Sequence, residues 1–133
     1  MRTIPAGAKG SATLIVAPEH LANQFKDATL PPVLATPMMI LVMENAALNA
    51  IRAYLESGES AVGTAVDICH LAATPVGQRV AAEAEVTMVE GRRIVFAVTA
   101  YDEIEKIGRG THERMVVDLP RLTRRLDAKA NRG

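Results

Sequence analysis

The sequence predicts an α+β fold in which a curved antiparallel sheet wraps one long central helix. Three observations predict it: one apolar stretch of helical composition from Met38 to Leu55, a change of hydrophobic period to two after Gly58, and turn signals that divide the rest into strands. The chain has 133 residues and is expected to form a single domain spanning 1–133. That length buries roughly two thirds of the unfolded surface. No internal repeat or second block of composition divides it.

Ser11 to Val16 reads as a short strand, and Pro18 to Lys26 as a loop or short helix. In Ala28-Thr29-Leu30-Pro31-Pro32-Val33 the prolines lack an amide hydrogen and crowd the preceding turn, so a stiff surface loop is expected. Such loops often cover sites. Pro37 suits a first helical position, and strong helix formers follow from Met38 to Leu55 until Ser57-Gly58 breaks the run. This helix is apolar on nearly every face, so it is expected to be enclosed by other structure. Charge enters it only at Glu44, and then at Arg52 and Glu56 near its end.

Beyond Gly58, the alternation places Val62, Thr64, Val66, Ile68, His70 and Ala72 on one face of a strand that stops at Thr74-Pro75-Val76-Gly77. Val80, Ala82, Ala84, Val86 and Met88 alternate with Glu83, Glu85 and Thr87 in a half-buried second strand. Glu90-Gly91-Arg92 supplies a hairpin turn into Ile94, Phe96, Val98 and Ala100. A turn near Glu103 to Lys106 leads to a last strand, Ile107 to Asp118, and Leu119 onward reads as a charged helix or tail. The four strands are expected to form a meander that the early strand joins.

Fifteen basic and fifteen acidic side chains leave no formal charge, and no long run of either sign offers a nucleic-acid footprint. An anionic ligand must therefore be met locally. The longest strongly apolar run, Met38 to Met43, is far short of the ~20 residues of a bilayer span, and no signal-peptide pattern opens the chain. One cysteine, Cys69, cannot close an internal disulfide, which favours a reducing cytoplasm; by residue type it reads as a small buried side chain.

Thr36, Glu44 and His70 each place a polar group inside apolar sequence, where it costs ~1–3 kcal/mol unless paired. Apolar walls with a few convergent polar groups are the material of a catalytic pocket. Each residue also has a plainer reading. Thr36 before Pro37 is a natural N-cap, Glu44 suits an interface ion pair, and His70 suits a hydrogen-bonded core position. Gly63 suits a sheet bend, and Arg114, alternating with Glu113, suits a salt bridge. His20 and His112 read as structural or exposed, and no His, Cys or carboxylate spacing suggests a metal site. Arg92-Arg93 reads as a solvated turn that also suits the phosphates of a nucleotide.

Several blocks taken together resemble a known family. Thr36 through Glu44, Val62-Gly63-Thr64-Ala65, His70-Leu71-Ala72-Ala73-Thr74-Pro75, Val89-Glu90-Gly91-Arg92-Arg93 and Gly110-Thr111-His112-Glu113-Arg114 resemble the fluoroacetyl-CoA thioesterase family of the hotdog-fold superfamily. The resemblance runs from about Val33 to Leu119 in one order with matching spacing. It implies a hotdog fold, a homodimer with sites near the subunit interface, and hydrolysis of an acyl-CoA thioester with no cofactor, since CoA is part of the substrate. It places the catalytic Thr, Glu and His on Thr36, Glu44 and His70, the site glycine on Gly63 and the site arginine on Arg114. The lid aromatic of the family falls on Leu30, a departure that leaves fluoroacetyl-CoA itself open as a substrate.

Elementary chemistry agrees with these roles. His70 beside Glu44 would be held in one tautomer, and the imidazole would activate water or the Thr36 hydroxyl. Amides near Gly63 and the helix start would receive the oxyanion, and Gly63 has no side chain to block a close approach. Two other classes fit the same resemblance: a hotdog enoyl-CoA hydratase or 3-hydroxyacyl-CoA dehydratase, and a non-catalytic acyl-CoA-binding dimer. Thiol release separates the first reading from both.

Overall fold

The computed structural model describes residues 1–131; Arg132 and Gly133 lie outside them. Strands β1 (Lys9–Ile15), β2 (Glu59–His70), β3 (Arg79–Glu90), β4 (Arg93–Tyr101) and β5 (Lys106–Asp118) form one antiparallel sheet in the order β1-β3-β4-β5-β2. A four-residue helix, α1 (Ala22–Phe25), precedes the central helix α2 (Thr36–Ile51), which continues into a 3₁₀ turn at Arg52–Tyr54. The alternating residues of β3 and β4 put Val80, Ala82, Ala84 and Val86, then Ile94, Phe96, Val98 and Ala100, against the helix. From α2, Met39, Met43, Ala46, Ala47 and Ile51 are wholly buried against them. Each large side chain removed from water in this way contributes ~1.5–3 kcal/mol.

Two glycines allow the close geometry. Gly91 turns the β3–β4 hairpin at φ 61°, which a side chain at Cβ disfavours. At Gly10 a Cβ would lie 2.3 Å from the Ala50 amide nitrogen and 2.4 Å from the Ala46 carbonyl oxygen, so β1 rests directly on the helix backbone. The segment before α2 is tied down by bridges Leu21↔Leu34 and Val33↔Pro75 and by the Leu34 amide donating to the Thr74 carbonyl at 2.9 Å. Thr74 is itself buried and donates to Asp102 at 2.8 Å. These ties bring the first turn of α2 beside the last residues of β2. The C-terminal helix α3 (Leu119–Ala130) is capped by Asp118, which accepts from the Arg121 amide at 3.0 Å, and buries none of its residues.

The architecture is the expected one, with five corrections. The meander is β3-β4-β5 only; β2 pairs with β5, on the far side from β3, and forms an edge of the sheet. A bulge between Gly63 and Ala65 breaks the period of β2, so Val62 and Thr64 do not share the face of Val66, Ile68 and His70. Gly63 opposite Arg114 and His70 opposite Gly108 face the helix instead. A second shift between Val86 and Met88 leaves Met88 half exposed. Cys69 is exposed rather than buried, because it takes the outer side of β2. Finally, α2 is not enclosed all round: Leu41, Asn45 and Asn49, four residues apart, form an open stripe.

Candidate active site

Thr36 is the first residue of α2 and His70 the last of β2. Thr36 Oγ1 lies 2.8 Å from His70 Nδ1. Thr36 is not the N-cap; that position is Ala35, and no side chain caps the helix, so the hydroxyl is free to pair with the imidazole. Burial lowers the His70 pKa from its ordinary 6.5, which favours the neutral ring as a proton acceptor. Its Nε2 is buried with no hydrogen-bond partner among the described residues. The pair opens into a cleft of about 540 Å³ whose walls include Leu30, Pro31, Val33, Leu71 and Ala72. The stiff proline loop thus sits over the cleft, with Leu30 on its wall.

Glu44 stands two turns along α2, about 12 Å from Thr36 at 1.5 Å per residue. The structure does not set it beside His70. Its Oε2 is 3.6 Å from Arg114 Nη1, in a second cavity of about 360 Å³ lined by Gly63, Thr64, Ala65, Val66 and His112. A Cβ on Gly63 would meet Glu44 Oε2 at 2.7 Å and His112 Cε1 at 3.3 Å, so the bare glycine keeps this cavity open. Arg114 is buried, donates from Nη2 to the Ala61 carbonyl at 2.6 Å and contacts His112 Nε2 through Nη1 at 3.1 Å.

The six candidate residues therefore form two groups, Thr36–His70–Leu30 and Glu44–Gly63–Arg114. The sequence reading missed His112, which is buried in the second group, in register with Phe96 and stacked on its ring at 5.9 Å. Its place two residues before Arg114 on one strand was the available signal. The amides of Met38 and Met39 both donate to the Ala35 carbonyl, at 3.0 and 3.2 Å, and so are not free for an oxyanion at the helix start. Arg92 pairs with Glu59, and Arg93 with Glu90 and Glu113. Among the described residues no cluster of three His, Cys, Asp or Glu side chains is placed to hold a metal ion, and no helix is long and apolar enough to cross a membrane.

Residues 16–119 match the model of the fluoroacetyl-CoA-specific thioesterase family. A fluoroacetyl-CoA thioesterase of Streptantibioticus cattleyicolor is 43% identical over 106 residues, 80% of this chain and 76% of that protein. A solved structure of a fluoroacetyl-CoA thioesterase superposes with TM-score 0.89 at 36% identity, covering 96% of this chain and 98% of the other. A thioesterase superfamily member from Thermus thermophilus superposes with TM-score 0.90 at 33% identity over the full length of both. The half-rolled sheet around one helix is the hotdog fold, and with these relatives it defines a thioester hydrolase. Within that class, the chain belongs to the fluoroacetyl-CoA-specific thioesterase family.

Proposed function

We propose that this acyl-CoA thioesterase hydrolyses a short acyl-CoA to the free acid and CoA, with Thr36, His70 and Glu44 as its catalytic side chains. The observation that carries the reading is the 2.8 Å pair of Thr36 Oγ1 and His70 Nδ1 at an apolar cleft. The Thr36 oxygen attacks the thioester carbonyl carbon while His70 Nδ1 takes the hydroxyl proton. Collapse breaks the C–S bond, and the imidazolium returns the proton to the departing sulfur. Water activated by the same imidazole then cleaves the Thr36 ester and frees the acid. Leu30 bounds the acyl pocket, and Gly63 and Arg114 contact the substrate on the Glu44 side. A solved complex of a variant family member holds fluoroacetate together with CoA, which supports a ligand spanning acyl and CoA sites.

The working form in this reading is a homodimer joined along β2. That strand is 12 residues long, lies at the sheet edge and exposes Val62 and Val66, an arrangement that invites a further strand. Pairing there sets the Gly63 cavity at the subunit boundary. Since Glu44 cannot reach the His70 of its own chain, the two groups serve one reaction only in a site to which both subunits contribute. The single free thiol supports a reducing compartment such as the cytoplasm.

Thiol release from acetyl-, fluoroacetyl- and longer acyl-CoAs tests the activity; loss of an enoyl double bond without free thiol would assign a hydratase instead. Mass spectrometry of a quenched reaction is expected to show an acyl group on Thr36. Mixing Thr36→Ala with Glu44→Gln protomers is expected to restore activity, because a mixed dimer keeps one intact shared site. No restoration in proven mixed dimers would place each site within one chain.

A further inference from the structure

We infer that His112 is a positioning residue: held in one tautomer, it aims the Arg114 guanidinium at Glu44 beneath Gly63, and so fixes from β5 where the carboxylate stands. The inference rests on the reading of Glu44 as a group that serves hydrolysis. His112 Nδ1 lies 2.8 Å from the Ala65 carbonyl oxygen, which only accepts, so Nδ1 carries the hydrogen. Its Nε2 lies 3.1 Å from Arg114 Nη1, which only donates, so Nε2 is the bare acceptor. The two contacts leave one state of the ring, neutral with Nδ1–H. A proton on Nε2 would set two donors against each other.

The consequence falls on Arg114. One terminal nitrogen is tied to Ala61 and the other to His112, so the guanidinium cannot swing, and the remaining hydrogen on Nη1 is left for Glu44 at 3.6 Å. The ring itself is fixed by stacking on Phe96. On the opposite side a Cβ at Gly63 would stand 3.3 Å from the ring, 3.6 Å from Arg114 Nη1 and 2.7 Å from Glu44 Oε2. Glycine thus leaves open a cavity on which all three side chains converge. His112 also takes the carbonyl of Ala65, the residue after the bulge, so a purely structural role in pinning β2 must be separated from aiming the arginine.

Two amide variants make that separation. His112→Asn keeps a nitrogen where Nδ1 stands and can still donate to Ala65, but offers nothing to Arg114. His112→Gln places an oxygen near the Nε2 position and can still accept from Arg114, but loses Ala65. We expect His112→Gln to keep most of the wild-type kcat for thiol release. His112→Asn is expected to lose up to about 10²-fold in kcat, the scale of a misplaced catalytic group, with a smaller change in KM. In an Arg114→Gln background the Asn substitution should cost nothing further. A nuclear magnetic resonance signal from the Arg114 guanidinium gives the independent readout: hindered rotation in wild type and His112→Gln, free rotation in His112→Asn. The reverse order, with Asn active and Gln impaired, assigns His112 to the bulge and overturns the inference, as does hindered Arg114 rotation in His112→Asn. If no acyl-CoA releases thiol with the wild-type protein, the hydrolysis reading fails, while the guanidinium signal still decides whether His112 holds Arg114.

Discussion

The two polar groups that line the helix are built in opposite ways. At the start of α2, Thr36 and His70 share one hydrogen bond and leave Nε2 unpaired against a cleft of about 540 Å³. Two turns on, Arg114 and His112 are each tied by two contacts beneath Gly63, with the Glu44 carboxylate set against the arginine. The first group has room for a proton and a substrate to move. The second has its charges set before anything binds, which is how electrostatic stabilisation avoids reorganisation during reaction. In the proposed reaction the first group would serve proton transfer and the second would supply a preorganised field.

The sharpest way to break this comparison is to remove the open group's base. His70→Ala is expected to lower kcat/KM by about 10²–10⁴-fold, the range of general acid–base catalysis, with little change in thermal stability, because the lost bond to Thr36 is exposed and a buried nitrogen without a partner leaves with the ring. A folded variant keeping most of its rate would end the role of the dyad. Glu44→Gln tests the clamped group and should cost on the order of 10²-fold in kcat. It should also lower the thermal midpoint, since Arg114 then faces a neutral amide; equal midpoints for Glu44→Gln and wild type would show that the pair carries no folding energy.

Leu30→Phe sharpens the comparison at the cleft wall. A flat ring there should raise the preference for fluoroacetyl- over acetyl-CoA, by no more than the ~1–3 kcal/mol that one small group is worth in an apolar pocket. An unchanged ratio of kcat/KM would remove Leu30 from acyl selection. The smallest effect concerns pH. Both His70 and His112 are held below their ordinary pKa of 6.5, first by burial, so below that pH the unfolded chain binds protons that the folded chain resists. Stability is therefore expected to fall as pH drops through about 6.5, and to be flat above it until other groups titrate. Urea midpoints should show a shallower fall in His112→Gln, which cannot titrate; identical slopes would place the resistance elsewhere.

Most of the fold was legible because period and punctuation are local. Alternation along Val80–Met88 and Ile94–Ala100, the turn at Gly91 and the proline before Met38 gave the strands, hairpin and helix nearly in place. What escaped was non-local. Nothing in β2 says that its neighbour is β5 and not β3, and a bulge is one residue in twelve with no composition of its own. At the site, residue types were readable but partners were not. Thr36 read both as a cap and as a hydroxyl for His70 to activate, and only the pairing with His70 is present; Glu44 read as the partner of His70 and faces Arg114. His112 passed as background because a buried histidine has no signature beyond its phase relative to Arg114.

The bulge at Thr64 works as a parity offset for half a strand. Before it the odd positions Ala61 and Gly63 point inward, and after it the even positions Val66, Ile68 and His70 do. With all twelve residues paired in plain alternation, β2 would present Gly63 or His70 to the ligand side, never both, and the alternative to His70 would be Cys69. Deleting Thr64 would remove the spare residue and leave Gly63 and His70 in phase on an unbroken strand, with Cys69 still outside. Hydrolysis should therefore survive the deletion with Cys69 still open to thiol-specific labelling; loss of activity with that labelling suppressed would show that the strand had slipped by one position against β5 instead. The spare residue is thus a coordinate of the chemistry as much as of the sheet: with twelve residues in β2, it is what brings both ends of the strand to one side.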